Sequence, residues 1–426
     1  MKFTTVSDWL AWQSQLHSQA MDFGLDRIRP VFDKLLQQAL AKNIILVGGT
    51  NGKGSSCAFL EAIYVAAGYR VGVYTSPHLL QYNERIRVEG EPVSDDLLCQ
   101  AFDHVENTRQ GISLTYFEFG TFAAFDIFQH SNLDVVILEV GLGGRLDVVN
   151  LAEPDVSVIT NIQLDHTDWL GDTREQIAME KLGIARANKP LVLADSNPPE
   201  NVFSIVKNLN VDFKLIHKDF DYSLNQDSWQ FHAADKHKHS LPTPGLKGSH
   251  QYHNASTALM VTELLVNELP LSMHHIRTGI ANCALPGRFQ VINQENKMII
   301  LDVAHNPHGI NAFLDLLQQL PKIGDHKLVF AMLRDKAVAD VVALLKPHID
   351  QWYLAEVDVA ERALPVNELH QIVTSQQVVD DVINDYASVA DAFHQASDKM
   401  QAHDKLIVLG SFYTVADVLP LVKQHG

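Results

Sequence analysis

The chain contains few cysteines, and their number and spacing exclude two kinds of scaffold. There are three in 426 residues, at Cys57, Cys99 and Cys283. An odd number at such wide spacing gives neither a disulfide framework nor the paired spacing of a zinc site. We expect all three to be reduced, buried thiols, which is the usual state of free cysteine in a cytoplasmic protein.

Long apolar runs and an excess of basic residues are also missing. No stretch reaches the 18 or more apolar residues of a membrane span, and residues 1–17 lack the basic start and apolar centre of a secretory signal, so we expect a cytoplasmic protein. Lysine and arginine number 33 against 51 acidic residues, a net charge of −18. This balance argues against nucleic acid as the main partner. It still allows an anionic ligand, because a few placed cations and a metal ion can dominate locally.

Apolar segments typical of strands alternate with helical segments along most of the chain. The segment 133–140, Leu-Asp-Val-Val-Ile-Leu-Glu-Val, is nearly continuous in aliphatic residues, as expected of a strand buried on both faces. This alternation predicts an α/β fold with a doubly wound, mainly parallel sheet. Further strands are predicted at 43–47, 70–74, 155–160 and 190–194, and helices at 55–67, 95–107, 117–129, 175–187, 250–267 and 272–282. The more polar stretch 212–241 predicts a small antiparallel extension.

A change of pattern near residue 285 predicts a second, smaller domain. Leu285-Pro286-Gly287 separates two patterned regions, and Pro and Gly commonly mark such boundaries. Beyond this boundary, strands are predicted at 298–303, 327–331, 351–354 and 405–409, with helices between them. We therefore predict two domains, 1–285 and 286–426, within the two or three that this length allows.

The strongest local motif is a glycine-rich segment between a strand and a helix. It reads Gly49-Thr50-Asn51-Gly52-Lys53-Gly54-Ser55. Glycines let backbone N–H groups approach phosphates, the helix N-terminus adds partial positive charge, and Lys53 would contact the outer phosphates of a nucleotide. The match to the nucleotide-binding consensus is imperfect, because Val47 takes the first glycine position and Gly54 separates Lys53 from Ser55. The alternative is a turn that only permits a tight strand–helix junction.

Two strands of the first domain lead into polar groups. Glu139 interrupts the buried strand 133–140, and His166 lies on the loop after strand 155–160. Ligands of parallel sheets bind at the carboxyl ends of strands, so both side chains can reach the edge of the glycine-rich loop. A buried carboxylate needs a partner or a metal. The alternatives are a salt bridge from Glu139 to Arg145 or Lys53, and a plain surface position for His166.

The second domain offers a similar strand end. Asp302 and His305 follow a predicted strand, just before a helix that Pro307 could begin. Simple helix capping by residues 302–306 explains them as well. Ser411 follows the last strand at another helix N-terminus, which could bind a carboxylate or only cap itself. No Ser-His-Asp or Cys-His nucleophile arrangement is evident, so the chemistry indicated is phosphate handling.

Taken together, these segments resemble the folylpolyglutamate synthase family, and within it the bacterial bifunctional forms. The matching segments occur in family order over nearly the whole chain: 21–27, 49–55, 75–79, 84–88, 114–119, 138–150, 164–171, 180–181, 285–290, 302–308 and 410–412. Residues 212–251 conform least, and nothing is carried over to them. The resemblance implies a Mur-ligase-like P-loop ATPase domain joined to a Rossmann-like glutamate-ligase domain, with the site in the cleft between them and a hinge at 285–287.

The resemblance also implies an activity and its partners. The enzyme would use ATP and two Mg²⁺ ions, with Mn²⁺ able to substitute, to phosphorylate a carboxylate, and the amine of L-glutamate would displace the phosphate. Dihydropteroate and reduced folates would be the acceptors, and we expect a monomer with no nucleic-acid or membrane partner.

The family's residue roles carry over position by position. ATP would be held by Gly49, Thr50, Asn51, Gly52, Lys53, Gly54, Ser55, Asn254, Arg288 and Asp302. The metal ligands would be Ser76, Glu139, His166 and Lys181. Substrates would meet Arg85, Thr115, Phe117, Asp147, His305 and Ser411. The residues closest to the chemistry would be Lys53, His166, Lys181 and His305. The alternative for Phe117 is ordinary helix core.

Lys181 carries a further implication, because the family and its Mur relatives have a modified lysine in a matching Glu-Lys segment. We expect it to be carbamylated by CO₂, since an unmodified ammonium beside Mg²⁺ would be repelled and a carbamate would offer two oxygens to the metal. This requires a depressed pKa for the amine. The alternative is an exposed helix lysine.

Three other functions are less well supported. A Mur ligase of cell-wall synthesis usually places a domain of about a hundred residues before the P-loop, whereas 48 residues precede Gly49. A nucleotide-dependent switch would not need Glu139, His166, Asp302 and His305 together. A dinucleotide oxidoreductase lacks its G-x-G-x-x-G after the first strand.

Overall fold

The structure is a computed structural model that describes residues 2–18, 22, 24–226, 228–234, 236–294, 297–359 and 362–423. The chain divides into two compact units. Unit 1 comprises Met1–Gly245 and Gln251–Ala284, and unit 2 comprises Leu246–His250 and Leu285–Gly426. In the part of the chain described, no helix is both long and apolar enough to cross a bilayer.

Unit 1 contains a large, mainly parallel β-sheet with helices between its strands, and a smaller antiparallel sheet. Its strands are β1 (Ala41–Gly48), β2 (Val71–Tyr74), β3 (Ile86–Val88), β4 (Glu91–Pro92), β5 (Leu133–Glu139), β6 (Val156–Ile159), β7 (Pro190–Leu193), β8 (Asp212–Leu215), β9 (Phe220–Leu224), β10 (Trp229–Ala233) and β11 (Lys236–Leu241). Its helices are α1 (Val6–Gln13), α2 (Leu25–Leu35), α3 (Lys53–Ala66), α4 (Asp95–Arg109), α5 (Tyr116–Gln129), α6 (Thr167–Leu170), α7 (Arg174–Leu182), α8 (Asn201–Leu209), α9 (Ser249–Leu264) and α10 (Met273–Asn282).

The large sheet of unit 1 has the strand order β4-β3-β2-β5-β1-β6-β7-β8 among the described residues. Strands β2, β5, β1, β6, β7 and β8 run parallel, and β3 and β4 join antiparallel at one edge. Val47 pairs with Glu139, and Gly48 pairs with Ile159. The carboxyl ends of three neighbouring strands therefore meet where the glycine-rich loop begins.

Helix α5 shows why this unit packs tightly. Thr115 caps it: its Oγ1 accepts from the Glu118 N–H, and the Glu118 carboxylate accepts from the Thr115 N–H in return. This capping box satisfies two amide groups that the first helical turn leaves without partners. Three phenylalanines at successive spacings of three residues on this helix are fully buried: Phe122, Phe125 and Phe128. Each contributes about 1.5–3 kcal/mol of hydrophobic stabilisation.

Two predictions about unit 1 are wrong. Strand β8 belongs to the predicted antiparallel stretch, yet it pairs parallel with β7 as the edge of the large sheet. An edge strand with one solvated side alternates in polarity; only β9, β10 and β11 form the antiparallel extension. Helix α7 ends at Leu182 instead of 187. At this end the Glu180 carbonyl accepts from the Arg145 N–H at 2.7 Å and the Gly183 carbonyl accepts from Asn150 Nδ2 at 3.1 Å, so donors outside the helix take the place of the next helical N–H groups.

Unit 2 is a second α/β layer structure. Its strands are β12 (Gln290–Gln294), β13 (Lys297–Leu301), β14 (His326–Phe330), β15 (Gln351–Leu354), β16 (Ile383–Asp385) and β17 (Lys405–Leu409). Its helices are α11 (Pro307–Leu317), α12 (Val338–Leu345), α13 (Val366–Ser375), α14 (Val389–Asp398) and α15 (Phe412–Lys423). The described strands follow the order β12-β13-β17-β14-β15-β16, with β12 antiparallel and the others parallel. The sequence did not predict β12 or β16.

Candidate active site

The glycine-rich loop closes tightly between β1 and α3. Gly49 has φ +139°, and a side chain there would overlap Thr160 Oγ1. Gly52 has φ +85°, and a Cβ there would lie 2.6 Å from Asn254 Oδ1. The backbone N–H groups of Thr50 and Asn51 donate to Asn161, at 3.0 Å to its carbonyl and 2.9 Å to its Oδ1. Only glycine fits both crowded positions, so the predicted phosphate loop has the geometry of a close backbone cradle.

Lys53 begins α3 and points back over its own loop. Its Nζ donates to the Gly49 carbonyl at 3.1 Å and the Thr50 carbonyl at 3.3 Å. Gly54 and Ser55 complete the first helical turn, and Ser55 is buried. The positive end of a helix dipole and the Lys53 ammonium thus face the same loop, an arrangement that binds anions.

Lys181 reaches the same loop from α7. It is 4 % exposed, and its Nζ donates to the Gly49 carbonyl at 2.9 Å, so two lysine ammonium groups share one acceptor. Burial and, second, the charge of Lys53 lower the pKa of Lys181 to about 7, and the charge of Asp165 acts against this shift. The exposed-lysine alternative is therefore wrong. A buried amine with a depressed pKa is the state that reacts with CO₂.

Two of the predicted metal ligands meet at adjacent strand ends. Glu139 is the last residue of β5, so it ends the strand and does not interrupt it. Its Oε2 accepts a hydrogen bond from the Ser76 N–H at 3.2 Å. Ser76 follows β2 and precedes Pro77 in a cis peptide. Arg145 pairs with Glu180 at 2.9 Å, so the alternative of an Arg145 partner for Glu139 is not what the geometry favours.

The third predicted ligand, His166, lies on the loop after β6. Its φ of +51° is left-handed, and its N–H donates to Asp165 Oδ1 at 2.9 Å, immediately before α6. Within the described residues, no three His, Cys, Asp or Glu side chains converge as a metal cage. A metal here would need oxygen ligands from water or phosphate as well, which is the usual coordination of Mg²⁺.

Residues predicted to border the pterin lie around Gly141. The Phe117 ring occupies the space that a side chain at Gly141 would need, and it packs at 6.0 Å from the Tyr74 ring. Asp147 accepts from the N–H groups of Gly141 and Leu142 at 2.9 Å, and from Val149 at 3.0 Å. Burial raises the pKa of Asp147 to about 6, against these hydrogen bonds and the charge of Lys53.

The other two predicted substrate residues have clear structural roles. Thr115 is the buried cap of α5, as described above. Arg85 donates from Nε to His78 Nδ1 at 2.8 Å, and its guanidinium lies 5.1 Å from the Tyr82 ring centre and 5.7 Å from that of Tyr116. Burial and, second, the charge of Arg85 lower the pKa of His78 to about 4. His78 is therefore neutral at neutral pH. Met21 and Phe23, in the first family-like segment, lie outside the described residues.

Unit 2 gathers its own predicted residues at the carboxyl ends of β13 and β17. Asp302 accepts from the Phe289 N–H at 2.7 Å and the Ala304 N–H at 2.8 Å. Burial raises the pKa of Asp302, and the charge of Arg288 opposes that rise. The Arg288 guanidinium lies 5.2 Å from the centre of the Phe412 ring.

His305 lies beside the same aromatic ring, and Ser411 directly precedes Phe412 in the chain. The His305 ring is 6.3 Å from that of Phe412, and its Nδ1 donates to the Val303 carbonyl at 2.9 Å. Ser411 Oγ accepts from the Thr414 N–H at 3.0 Å, which is the self-capping alternative. Asn306 caps α11 by accepting from the Gly309 N–H, and Pro307 begins that helix as expected.

Several residues that support the candidate site were not identified from the sequence. Asn161 and Thr160 hold the glycine-rich loop, and Asp165 acts on Lys181 through its charge. A polar pair directly after a buried strand was the available signal for Thr160 and Asn161. The three cysteines are free and buried, as predicted.

Comparison with known proteins decides the family. Residues 47–262 match the family described as "Mur ligase middle domain", and residues 287–412 match "Mur ligase, glutamate ligase domain". The dihydrofolate synthase/folylpolyglutamate synthase of Escherichia coli is 40% identical over 98% of this chain and 95% of its own length. The chain belongs to the folylpolyglutamate synthase family. As a member of that family, it is a ligase that couples ATP to the attachment of glutamate.

Solved structures of folylpolyglutamate synthases agree with the fold. E. coli FolC in complex with DHPP and ADP has a TM-score of 0.92 at 39% identity, with 99% of this chain and 98% of that chain covered. A bifunctional folylpolyglutamate synthase/dihydrofolate synthase with Mn, AMPPNP and L-glutamate bound has a TM-score of 0.90 at 40% identity, with 98% of each chain covered. The α/β architecture predicted from the sequence is confirmed.

Proposed function

We propose that the chain joins L-glutamate to dihydropteroate, giving dihydrofolate, and to reduced folates, giving polyglutamates. The observation that carries the proposal is that Lys53 and Lys181 both donate to the Gly49 carbonyl, in a chain that matches a bifunctional enzyme over 98% of its residues. Two basic groups lie at the P-loop, and the Glu139 carboxylate at the end of β5 accepts a hydrogen bond from the Ser76 N–H. This combination suits the transfer of a phosphoryl group.

The reaction proceeds in two substitutions. A carboxylate oxygen of the acceptor attacks the terminal phosphorus of ATP, ADP leaves, and an acyl phosphate remains. The amine of glutamate then attacks the acyl carbon, phosphate departs, and the nitrogen loses a proton. Lys53 and the N–H groups at the N-terminus of α3 would stabilise the negative charge of the phosphoryl group being transferred. His305 donates from Nδ1 to a carbonyl, which orients its ring and leaves Nε2 as the basic nitrogen.

The residues of unit 1 fit a divalent metal. Glu139 and Ser76 lie in hydrogen-bond contact, and His166 follows strand β6, which is separated from β5 by β1 in the sheet. A metal bound there would neutralise phosphate charge and orient the phosphates, and Mg²⁺ tolerates this sparse protein ligation because it retains water. Mn²⁺ accepts the imidazole nitrogen more readily. The second Mg²⁺ would take a carbamate on Lys181, whose buried amine has the low pKa that carbamylation requires.

The remaining family roles are assigned by position. Asn254 lies against Gly52 and would contact the nucleotide, as would Arg288 and Asp302 of unit 2. Phe117 offers a flat apolar face for the pterin. Thr115, Asp147 and Arg85 already have hydrogen-bond partners, so we assign them to shaping that pocket. Ser411 would present its helix N-terminus to glutamate. Monomeric state, the absence of a nucleic-acid partner, cytoplasmic location and closure at the 285–287 hinge stay predictions.

Product identification tests the dual acceptor. The purified protein, with ATP, Mg²⁺ and L-glutamate, is given either dihydropteroate or tetrahydrofolate, and products are measured by mass spectrometry. We expect each acceptor to gain the mass of one glutamate less one water. Extension of tetrahydrofolate without any glutamylation of dihydropteroate would refute bifunctionality.

A further inference from the structure

A partly buried charge pair lies beside the Ser76–Glu139 contact. Arg87 of β3 donates to Glu61 of α3 through Nη2 at 2.7 Å to Oε2, and through Nε at 3.0 Å to Oε1 and 3.1 Å to Oε2. The two side chains are only 15% and 12% exposed. This is the forked geometry in which an arginine–carboxylate pair fixes orientation as well as charge.

The remaining arm of Arg87 holds the segment that leads to Ser76. Its Nη1 donates to Thr75 Oγ1 at 3.1 Å and to the Glu84 carbonyl at 2.9 Å. Thr75 directly precedes Ser76, whose N–H donates to Glu139. Glu61 lies on the helix that begins at Lys53. One guanidinium therefore ties the phosphate-loop helix to the strand end that carries a predicted metal ligand.

The pair also sets the charge around Glu139. The buried Cys57 thiol has a raised pKa, first through burial, then through Glu139, with Arg87 acting against it and Glu61 adding to it. Glu139 is also among the charges acting on Arg87. Arg87 is therefore close enough for its charge to act on Glu139, and an uncompensated arginine there would compete with a metal ion. Glu61 cancels that charge.

We propose that Glu61 and Arg87 are positioning residues for the metal-dependent step: Arg87 fixes the Thr75–Ser76 segment against α3, and Glu61 keeps the surroundings of Glu139 free of net positive charge. The inference deepens the proposed function and rests on it. Replacing Glu61 and replacing Arg87 should therefore change metal binding differently. If the salt bridge had only a structural role, the two replacements would have the same effect.

The test measures Mn²⁺ binding in the presence of ADP, by electron paramagnetic resonance of free Mn²⁺, together with kcat at saturating Mg²⁺. Glu61→Gln leaves the arginine charge in place, so we expect the Mn²⁺ dissociation constant to rise about tenfold. Arg87→Gln removes charge and tether, so kcat should fall about tenfold while Mn²⁺ binds at least as tightly as in the wild type. The double variant should recover Mn²⁺ affinity but not kcat.

Arg87→Lys is the conservative variant, since it keeps the charge but cannot span Glu61 and Thr75 together. We expect wild-type Mn²⁺ affinity and a reduced kcat. Glu106→Gln is the matched control, because Glu106 forms a similar fork with Arg109 on α4, at 2.6 and 3.1 Å and with 19% and 10% exposure. It should leave both constants unchanged. Urea unfolding of every variant reports any loss of stability.

The outcomes separate this inference from the proposed metal site. If Glu139→Ala weakens Mn²⁺ binding strongly while Glu61→Gln and Glu106→Gln both bind like the wild type, the positioning role is overturned and the metal site stands. If Glu139→Ala itself binds Mn²⁺ like the wild type, the metal assignment and this inference both fall. A Glu61→Gln variant that is destabilised but keeps its Mn²⁺ affinity also overturns the inference.

Discussion

Among the individual residues of unit 1, the most informative feature is that two lysines donate hydrogen bonds to the same carbonyl oxygen. Lys53 and Lys181 both donate to Gly49, and the buried Lys181 has a pKa near 7 because of burial and the neighbouring ammonium. Two adjacent ammonium groups repel each other. Converting one of them to a carbamate turns that repulsion into attraction and supplies a metal ligand.

Replacement of Lys181 by alanine tests this directly. We expect Lys181→Ala to lose activity by about 100-fold or more, because the proposed carbamate ligand of the metal is removed, and added acetate should restore part of it. Carbon-13 NMR with labelled bicarbonate should show a carbamate signal in the wild type that the variant lacks. Lys189→Ala is the control, since Lys189 is an exposed lysine paired with Asp155. Full activity of Lys181→Ala would contradict the assignment.

At the scale of elements, the β1–α3 loop depends on glycine for space as well as for conformation. Gly49 and Gly68 both have positive φ, but a side chain at Gly49 would overlap Thr160 whereas nothing lies within 4 Å of the Cβ position at Gly68. Strain alone costs about 1–2 kcal/mol. We expect Gly68→Ala to lose about that much stability and to retain ADP binding.

Gly49→Ala should lose more, about 3 kcal/mol or above, because the overlap adds to the strain. We also expect its ADP affinity to fall by at least about tenfold, since the phosphate cradle must shift. Urea unfolding and calorimetric titration with ADP measure the two quantities. Equal ADP affinity in the two alanine variants would show that the loop does not bind the phosphates.

A histidine held between two carboxylates makes the stability of unit 2 depend on pH. His370 of α13 approaches Asp385 of β16 with Nδ1 and Asp380 with Nε2, both at 2.8 Å. The hydrogen bond with Asp385 raises the pKa of His370, burial opposes this, and Asp380 raises it again. The folded state therefore favours the protonated ring.

This stabilisation is fully present below the unfolded pKa of about 6.5 and is lost as pH rises through the higher folded value. Since Asp380 is 76% exposed, the effect is screened and should amount to about 0.5–1 kcal/mol. The free energy of unfolding of His370→Asn should lie below that of the wild type at about pH 6 and equal it at about pH 9. His394→Asn, on α14, is the control. A difference that persists at high pH would exclude the charge as its cause.

Elements with strong local patterns were predictable, and those defined by their neighbours were not. The strand 133–140 and the helix after Gly52 follow from an aliphatic run and from glycine placement. By contrast, β16 has three residues, and β12 exists because β13 offers it an edge. The stretch 212–215 has the polarity of an edge strand, and no local signal says whether its partner runs parallel.

The same limit applies within the site. Glu139, His166, Lys181 and Asp302 could be identified as candidate site residues from their positions after strands or from the family resemblance. Their partners could not, because these join positions far apart in the chain: Gly49 with Lys181, Ser76 with Glu139, and Glu61 with Arg87. Burial, which lowers the pKa of Lys181, likewise depends on the whole packed unit.

At the scale of the whole molecule, each unit presents polar residues at the carboxyl ends of a mainly parallel sheet. Ligands of such sheets bind at these edges. Unit 1 supplies the glycine-rich loop, the hydrogen-bonded Glu139 carboxylate and the buried Lys181. Unit 2 supplies Arg288 and His305 beside the Phe412 ring, and Asp302. This division matches the proposed chemistry, in which one substrate is phosphorylated and a second brings an amine.

Phosphate release by the purified protein tests the central claim most directly. Reactions contain ATP and Mg²⁺ with L-glutamate, with dihydropteroate, or with both. We predict sustained release of phosphate only when both are present, with one phosphate and one dihydrofolate formed per ATP consumed. Sustained phosphate release at the same rate without L-glutamate, or without dihydropteroate, would contradict it and would indicate a nucleotide hydrolase instead of a ligase.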